Sequence, residues 1–243
     1  VIANSRSTAN FQRRINRVSP AKLKTIYCFT DLDRFKNVKP ADVTYVRNEM
    51  RLRDDDFVVG TVGDVLARKG QLYLFRALEE IISHVPNFKL VLVGRFNRDE
   101  SYVKKLRQLQ RRQPLLNRVK WLGLRNNVQD FMAAFDLCVV PSVEEPLGLV
   151  ALESLAVGTP VVASNTGGLP EIVKPHCNGL LVPPKQPKAL AAAVIAMAKD
   201  ADARKRFGES GRKFVQENFS PDLLTQQIEQ VYFELKLVKR AAG

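Results

Sequence analysis

Residues 137–164 have the sequence LCVVPSVEEPLGLVALESLAVGTPVVAS, and the fold class can be predicted from this segment. The apolar run at 137–141 predicts a buried strand, residues 147–157 predict a helix, and the run at 160–164 predicts a second strand. Valine-rich strands joined by a helix are typical of parallel strands linked by a right-handed crossover. The stretch therefore predicts an α/β fold.

The same alternation continues on both sides of this stretch. Further strands are predicted at 57–63, 90–94, 119–123 and 179–182, and further helices at 71–83, 100–112, 128–135, 187–199, 201–218 and 221–239. This order predicts an α/β, doubly wound, mostly parallel six-stranded sheet of the Rossmann-like kind, with helices on both faces. Ligands bind such sheets at the carboxyl ends of the strands. Glycines at 63, 94 and 123 and the pair Pro141-Ser142 lie at that edge.

Composition excludes several classes of protein. Apolar residues make up 45% of the 243 residues and charged residues 26%, which is typical of a globular chain and excludes a disordered or collagen-like one. No apolar run approaches the 18 residues that a membrane-spanning helix needs. The chain opens on Val1 without a signal-peptide pattern, which is typical of a fragment or an excised domain.

The charge balance favours an anionic partner. Lys and Arg number 38 against 25 Asp and Glu, a formal net charge of +13, which suits a nucleic acid, an anionic lipid or a phosphorylated small molecule. Cys28, Cys138 and Cys177 are far apart and odd in number, so neither a disulfide framework nor a zinc site is expected. Cys138 lies in an apolar run and is interpreted as a buried small hydrophobe.

The pattern predicts three segments. Residues 1–24 are rich in Ser, Asn and Arg, show one weak helical pattern and no strand, and are interpreted as the end of a preceding N-terminal domain or a linker. Residues 25–219 form the Rossmann-like domain, with 25–29 as a candidate edge strand. Residues 220–243 form a C-terminal helix.

The segment 144–153 carries the most chemical information. Pro146 favours the first turn of a helix, which leaves the amides of Leu147, Gly148 and Leu149 free for an anion. Glu153 has apolar neighbours at helical spacing, and a carboxylate on such a stripe is rare unless it is paired. It could accept two hydrogen bonds from a vicinal diol such as a ribose, or form a core ion pair with Arg or Lys. Both alternatives stay open.

Three other segments have a functional and a structural interpretation. Arg68 and Lys69, which follow the strand ending at Gly63, could hold a phosphate or form a solvated basic turn. The Gly167-Gly168 pair could open amides to a ligand or simply make a tight turn. Residues 101–120 carry seven basic residues and no acidic one, which indicates a solvated helix face or a surface for a membrane or nucleic acid.

These motifs resemble a known family. The stretches EPLGL at 145–149, ESLAVGTPVVA at 153–163 and GGLPE at 167–171 resemble the nucleotide-sugar half of retaining glycosyltransferases of the GT-B fold, in the glycosyl transferases group 1 family. The hallmark of that family is two Glu separated by seven residues, here Glu145 and Glu153. Residues 136–142, 178–183 and 26–35 also resemble segments of the family. Taken as a whole, the resemblance runs from about residue 5 to residue 219.

The resemblance implies roles for individual residues. Glu153 would bind the ribose hydroxyls of the donor nucleotide, and Glu145 would hold hydroxyls of the donor sugar. The amides of Gly148 and Leu149 would face the sugar and diphosphate. The implied contacts of the remaining positions are these: Lys69 with Arg68 at the diphosphate, Gly63 in the turn beside it, and Leu124 and Arg125 near the base.

The resemblance also implies a reaction. The family transfers a sugar from a nucleotide-diphosphate sugar to an acceptor hydroxyl with retention of configuration, by front-face attack assisted by the leaving phosphate. It implies a hexosyltransferase of bacterial carbohydrate biosynthesis that needs no metal and no cofactor. Because the acceptor-binding N-terminal domain is missing from the chain, we expect it to bind donor without turnover.

The chain departs from the family at several positions. Asp64 occupies the place of the Arg that usually follows the glycine of the first strand, where a carboxylate repels a diphosphate unless Arg68 neutralises it. The usual Asn-Gly of the segment entering this domain is Cys28-Phe29 here. The glycine-rich turn after the second strand is Gly94-Arg95-Phe96-Asn97.

The predicted partners follow from these observations. They are a nucleotide sugar and an acceptor glycan or lipid-linked acceptor, the latter through the missing domain, in the cytoplasm or peripherally on the inner face of the cell membrane. An anionic membrane surface is a further option for the basic face. An alternative function is a catalytically inactive Rossmann-like binding or regulatory module, which Asp64 favours. Nucleic-acid binding has no supporting motif.

Overall fold

The computed structural model describes residues 1–28, 30–112 and 115–241, with side chains up to residue 235. The strands in these residues are β1 Ile2–Ala3, β2 Lys24–Thr25, β3 Phe57–Val62, β4 Phe88–Val93, β5 Val119–Gly123, β6 Leu137–Val140, β7 Val161–Ser164 and β8 Gly179–Val182. The helices are α1 Arg6–Arg14, α2 Leu32–Lys36, α3 Pro40–Glu49, α4 Gln71–His84, α5 Glu100–Gln110, α6 Val128–Ala133, α7 Leu149–Val157, α8 Leu169–Ile172, α9 Pro187–Lys199, α10 Ala201–Asn218 and α11 Pro221–Ala241.

Strands β3 to β8 form a parallel sheet, which confirms the predicted fold class. Six strands of the described residues lie in the order β5-β4-β3-β6-β7-β8, and every neighbouring pair is parallel. Counted from the first strand of this sheet, the order is 3-2-1-4-5-6, that of a Rossmann fold. The order reverses between β3 and β6. This is the switch point, where such sheets bind ligands.

Both faces of the sheet are buried because the strand residues are apolar on both sides. Val59, Leu90 and Val139 point into a cluster with α4, α5 and α9. Val58, Val91 and Cys138 point to the other face and pack with α3, α6 and α7. Cys138 is fully buried, as the sequence indicated. Only the loops at the two ends of the strands are left for chemistry.

The front of the chain differs from the prediction. Ile2 and Ala3 form a strand that pairs in parallel with Lys24 and Thr25, so the expectation of no strand before residue 25 is wrong. The predicted edge strand at 25–29 is also wrong, because β2 ends at Thr25 and does not join the six-stranded sheet. The physical reason is that the side chains that follow turn to other partners. Tyr27, for example, donates to Glu171.

Helix α7 begins two residues later than predicted. Its first residue is Leu149, and Gly148 precedes it with φ of +105°. That conformation lies outside the right-handed helix and favours glycine, so Pro146 and Leu147 stay in the loop rather than in the first turn. Helices α2, α3 and α8 were not predicted, since they are short or only weakly amphipathic.

Candidate functional site

The loops that follow β3 and β6 meet at the switch point. The first covers residues 63–70 and ends in a 3₁₀ turn at Ala67–Lys69, and the second covers residues 141–148. The backbone carbonyl of Arg68 accepts hydrogen bonds from the amides of Val143 (2.8 Å) and Glu144 (3.3 Å). Gly70 has φ of +69°, and a Cβ there would lie 1.9 Å from the Pro141 carbonyl oxygen. The two loops therefore form one tied unit that only glycine permits.

This unit brings Lys69 and Glu145 together. The Nζ of Lys69 lies 2.6 Å from Oε2 of Glu145, and the side chains are only 17% and 9% exposed. The Ser142 hydroxyl donates to the same oxygen at 3.0 Å. A carboxylate this buried would be costly to stability without such partners. The backbone of Arg68 lies in the same tied unit, while its side chain is exposed to solvent.

The Gly167-Gly168 turn holds the Glu145 loop from the other side. A Cβ on Gly167, whose φ is +56°, would lie 1.8 Å from the Glu145 carbonyl oxygen. The amide of Gly168 donates to that carbonyl at 2.9 Å, and Thr166 donates to Val143. The tight-turn interpretation is therefore confirmed. The glycines allow the close approach that fixes the Glu145 backbone.

The loop before α7 presents open amides. The backbone amides of Leu147, Gly148 and Leu149 donate to no acceptor among the residues that the structure describes. They precede the first turn of a nine-residue helix, where the helix dipole also favours negative charge. The prediction of free amides is confirmed, although α7 starts at Leu149. This end of the site can accept an anion.

Glu153 lies on α7 without a cation. Its carboxylate is half-buried and forms no ion pair within the described part of the chain, so the alternative of a core ion pair is not realised. The only hydrogen bond it accepts there comes from the Thr30 hydroxyl, at a long 3.3 Å. Burial raises the pKa of Glu153, and the Thr30 hydroxyl and the charge of Arg34 offset this in part. The carboxylate is left with unused hydrogen-bonding capacity.

Asp64 is neutralised, but not by Arg68. The Arg95 guanidinium donates to both carboxylate oxygens, Nε at 2.9 Å and Nη2 at 3.1 Å, and Arg98 Nη1 lies 3.1 Å from Oδ2. These hydrogen bonds and charges hold the pKa of Asp64 below its usual range. The condition considered from the sequence, neutralisation of Asp64 by Arg68, is met by these two other arginines instead. The loop after β4 lies beside the loop after β3, and it supplies both arginines. Gly63 itself has φ of +124° and open space where a Cβ would be.

Leu124 and Arg125 follow β5, two strands from the switch point. The side chain of Leu124 is 67% exposed. The guanidinium of Arg125 pairs with Glu49 at 2.7 Å and stacks over the Phe131 ring at 5.4 Å. The structure thus gives the Arg125 side chain a structural partner on α3, while Leu124 presents a free apolar surface at the sheet edge.

The remaining sequence features are surface features. In the basic stretch, Lys104, Lys105 and Arg107 are exposed, as a solvated helix face predicts. Among the described residues, no group of three His, Cys, Asp or Glu side chains is placed to hold a metal ion. Within those same residues, every helix is either too short or too polar to cross a bilayer.

Sequence reasoning missed Ser142, Thr30, Arg95 and Arg98 as site residues. Ser142 directly follows β6, so its position at the strand end was a usable signal. Arg95 and Arg98 follow the glycine that ends β4, and adjacency of β3 and β4 would have placed them near Asp64. The contact between Thr30 and Glu153 spans 123 residues and has no sequence signal.

The comparisons with known proteins agree with this geometry. The profile of the family described as glycosyl transferases group 1 matches residues 43–214, which is more than half of the chain. The chain belongs to this family. An uncharacterized glycosyltransferase of Methanocaldococcus jannaschii is 35% identical over 188 residues, covering 76% of this chain and 47% of the relative. N-acetyl-alpha-D-glucosaminyl L-malate synthase of Bacillus anthracis is 29% identical over 221 residues, covering 90% and 55%.

Solved structures with bound UDP have the same fold. HepE of Anabaena, solved in complex with UDP, matches with a TM-score of 0.90 and 30% identity, covering 96% of this chain and 63% of that one. The complex of HepE with UDP and glucose matches with a TM-score of 0.86 and 32% identity, covering 96% and 62%. The chain therefore spans about half the length of its glycosyltransferase relatives and under two thirds of these solved chains.

Proposed function

We propose that this glycosyltransferase-family chain is the donor-binding domain of a retaining enzyme that uses a nucleotide-diphosphate sugar. The single observation that carries the proposal is the pair of glutamates at the switch point. Glu145 is paired with Lys69, whereas Glu153 is half-buried and forms no ion pair in the described part of the chain. A lone carboxylate is costly to bury, and a ligand with two adjacent hydroxyls would satisfy it. HepE, which shares the fold, was solved with UDP.

Each site residue then has a proposed role. Glu153 accepts hydrogen bonds from the ribose hydroxyls, and the open amides of Gly148 and Leu149 face the sugar and diphosphate. Lys69, with Arg68 at the rim, neutralises the diphosphate. Glu145 holds sugar hydroxyls while it keeps Lys69 in place. Leu124 covers one face of the base, and the backbone at Arg125 borders it.

The proposed reaction proceeds with retention of configuration. The bond between the anomeric carbon and the diphosphate oxygen breaks, and the acceptor oxygen bonds to the same face of that carbon. The acceptor proton passes to the leaving phosphate oxygen, so the products are a glycoside and a nucleoside diphosphate. Lys69 and the helix amides stabilise the charge that develops on that phosphate. No metal is required in this scheme.

We propose that the acceptor is bound by a part of the protein outside this chain. The two-stranded parallel sheet β1–β2 supports this, because parallel strands are normally buried inside larger sheets. Ile2 on β1 and Phe11 and Ile15 beside it are exposed large apolar residues that such a part would cover. The acceptor is a glycan or a lipid-linked hydroxyl, and the isolated chain binds donor without turnover.

The cellular setting is a proposal of the same kind. A bacterial enzyme of carbohydrate biosynthesis that uses nucleotide sugars works in the cytoplasm. With a lipid-linked acceptor it would touch the inner face of the membrane, and the exposed cations of α5 suit an anionic surface. The alternative function, an inactive module, rested on repulsion by Asp64. The ion pairs of Asp64 with Arg95 and Arg98 weaken that argument.

The proposal is tested by calorimetric titration of the chain with UDP, GDP and ADP. Binding of one nucleoside diphosphate is expected, and it identifies the base. Exposed Glu79, far along α4, gives a matched control: Glu79→Gln should bind as the unchanged chain does, while Glu153→Gln should bind more weakly. Binding of none of the three by the chain, and by the longer protein that contains it, would exclude the donor role.

A further inference from the structure

The loops after β3 and β4 carry a charged cluster that the proposed roles do not use. It consists of Asp64 from the first loop and of Arg95 and Arg98 from the second, and we call it the Asp64 cluster. Both loops leave the carboxyl ends of their strands, the edge at which this kind of sheet binds ligands. Asp64 also shares the loop of Lys69, so the cluster borders the diphosphate region of the proposed site.

The backbone fixes the two loops against each other. The amide of Val65 donates to the Arg95 carbonyl at 2.9 Å, and the amide of Gly63 donates to the Val93 carbonyl at 2.8 Å. A Cβ on Gly94 would lie 2.0 Å from the Gly63 carbonyl oxygen, so the loops touch directly. The Gln71 amide group, which is buried, donates to the Asp64 carbonyl at 3.1 Å. Asp64 is therefore a rigid anchor.

The cluster has spare charge and spare donors. Two guanidinium groups against one carboxylate leave a net charge of +1. Arg95 uses Nε and Nη2 on Asp64, and Arg98 uses Nη1. Arg95 Nη1 and Arg98 Nε and Nη2 donate to no group in the described residues. The two arginines remain 44% and 52% exposed, so an anion can reach them.

We propose that Asp64 is a positioning residue that holds Arg95 and Arg98 toward the phosphates of the donor. This rests on the proposed donor function and adds to it. The carboxylate fixes two flexible side chains in one geometry, which lowers the entropy that they lose when they bind phosphate. A planar guanidinium suits phosphate oxygens. Because β4 and β6 lie on opposite sides of β3, the loop after β4 supplies these cations on the side of the Lys69 loop away from the Glu145 loop.

This proposal predicts the sign of a substitution. If Asp64 only repelled the donor, Asp64→Asn would strengthen nucleoside diphosphate binding. If Asp64 positions the arginines, the same change frees them and weakens binding. Uridine, guanosine or adenosine, which lack phosphate, should bind as before under the positioning account. Exposed Glu100, two residues from Arg98, supplies a matched control for the loss of one negative charge.

The experiment measures the nucleoside diphosphate that the unchanged chain binds most tightly, and its nucleoside by displacement. For Asp64→Asn, about a threefold to tenfold loss for the diphosphate is expected, with the nucleoside within about twofold, and Glu100→Gln should not weaken either ligand. Arg98→Ala should show the same selective loss of diphosphate affinity. If the melting temperature of Asp64→Asn differs from that of the unchanged chain, Arg98→Ala is used as the test instead.

Three results would overturn the positioning role. These are tighter diphosphate binding in Asp64→Asn, binding equal to that of Glu100→Gln, and an equal loss for diphosphate and nucleoside. If the unchanged chain binds no nucleoside diphosphate at all, the proposed donor function fails and this inference fails with it. That result differs from the three others, in which the unchanged chain binds.

Discussion

Glu145 lies in the loop before α7 and Glu153 lies on α7 itself, and the surroundings of the two carboxylates differ. Glu145 is 9% exposed and receives Lys69 and the Ser142 hydroxyl. Glu153 is half-buried among apolar neighbours and receives one long hydrogen bond from Thr30. The protein itself satisfies the first carboxylate, so its geometry is set before any ligand arrives. The second carboxylate keeps its capacity for a ligand.

Under the proposed function, Glu145 belongs to a part of the site that is fixed before the donor binds, and Glu153 belongs to a part that recognises the donor. An ion pair fixes the positions of the two side chains that form it. A buried carboxylate without enough hydrogen-bond donors lowers the stability of the fold, and a ligand that donates to it offsets this loss. Substitutions at the two glutamates and their partners should therefore have different effects on stability and on binding.

The largest effect is expected when the satisfied carboxylate loses its cation. Lys69→Ala leaves Glu145 buried without a counter-charge, and we expect the free energy of unfolding to fall by about 2 to 4 kcal/mol. Nucleoside diphosphate binding should weaken more than nucleoside binding. Urea unfolding and calorimetry measure the two effects. The double variant Lys69→Met with Glu145→Gln should recover most of the stability without recovering diphosphate binding. Recovery of both would show that Lys69 does not bind the diphosphate.

The second effect concerns binding at the unsatisfied carboxylate. Glu153→Gln keeps the shape but removes the charge, and we expect donor binding to weaken by about 1 to 3 kcal/mol, because one or two hydrogen bonds to a charge are lost. The loss should be the same for a nucleoside and its diphosphate. Unchanged donor affinity in this variant would show that Glu153 does not bind the ribose hydroxyls.

The third effect is on stability and has the opposite sign. The pKa of Glu153 is raised in the folded chain, so its burial costs nothing while it is protonated, and the cost appears as pH rises through that raised pKa. At pH 7 we expect Glu153→Gln to be more stable than the unchanged chain by about 1 kcal/mol, a gain that vanishes at acidic pH. Melting curves across pH check this, with Glu79→Gln as the control. A melting temperature lowered at pH 7 would show that the carboxylate is satisfied after all.

The smallest effect is expected at Ser142. Its hydroxyl is buried and donates to the same Glu145 oxygen as Lys69, so Ser142→Ala should lower stability and donor affinity by about 1 kcal/mol each. The corresponding change at the other carboxylate, Thr30→Val, should lower stability by less, because its hydrogen bond to Glu153 is long. Equal losses of stability in Ser142→Ala and Thr30→Val would show that the two carboxylates do not differ in how well the protein satisfies them.

The fold and the outline of the site could be predicted from the sequence. Continuous runs of Val and Leu that end in Gly are typical of buried parallel strands, and the crossover connections between such strands allow only a few sheet topologies. The same pattern located Glu145, Lys69 and the open amides at one edge. It could not place the start of α7, because a helix boundary depends on the positive φ of Gly148, which the sequence does not fix.

The partners of the charged side chains were missed, although the adjacency of β3 and β4 indicates those of Asp64. Asp64 pairs with Arg95 and Arg98, which lie on a neighbouring strand's loop rather than next to it in sequence. The sequence of the segment before residue 25 is interpreted as the end of a preceding domain or a linker, and it gives no sign of the contacts that this segment makes. Buried Ser5 donates to the Pro146 carbonyl at 2.6 Å, and Glu171 receives the amides of Arg6 and Ser7. Such contacts arise between segments more than 140 residues apart.

The proposed role of Glu153 is best tested by a crystal structure of the chain with a bound nucleoside diphosphate. We expect the ribose hydroxyls within about 3 Å of the Glu153 carboxylate, and the phosphates beside Lys69 and the amides before α7. A nucleotide whose ribose lies elsewhere, with Glu153 in contact with no ligand atom, would contradict it.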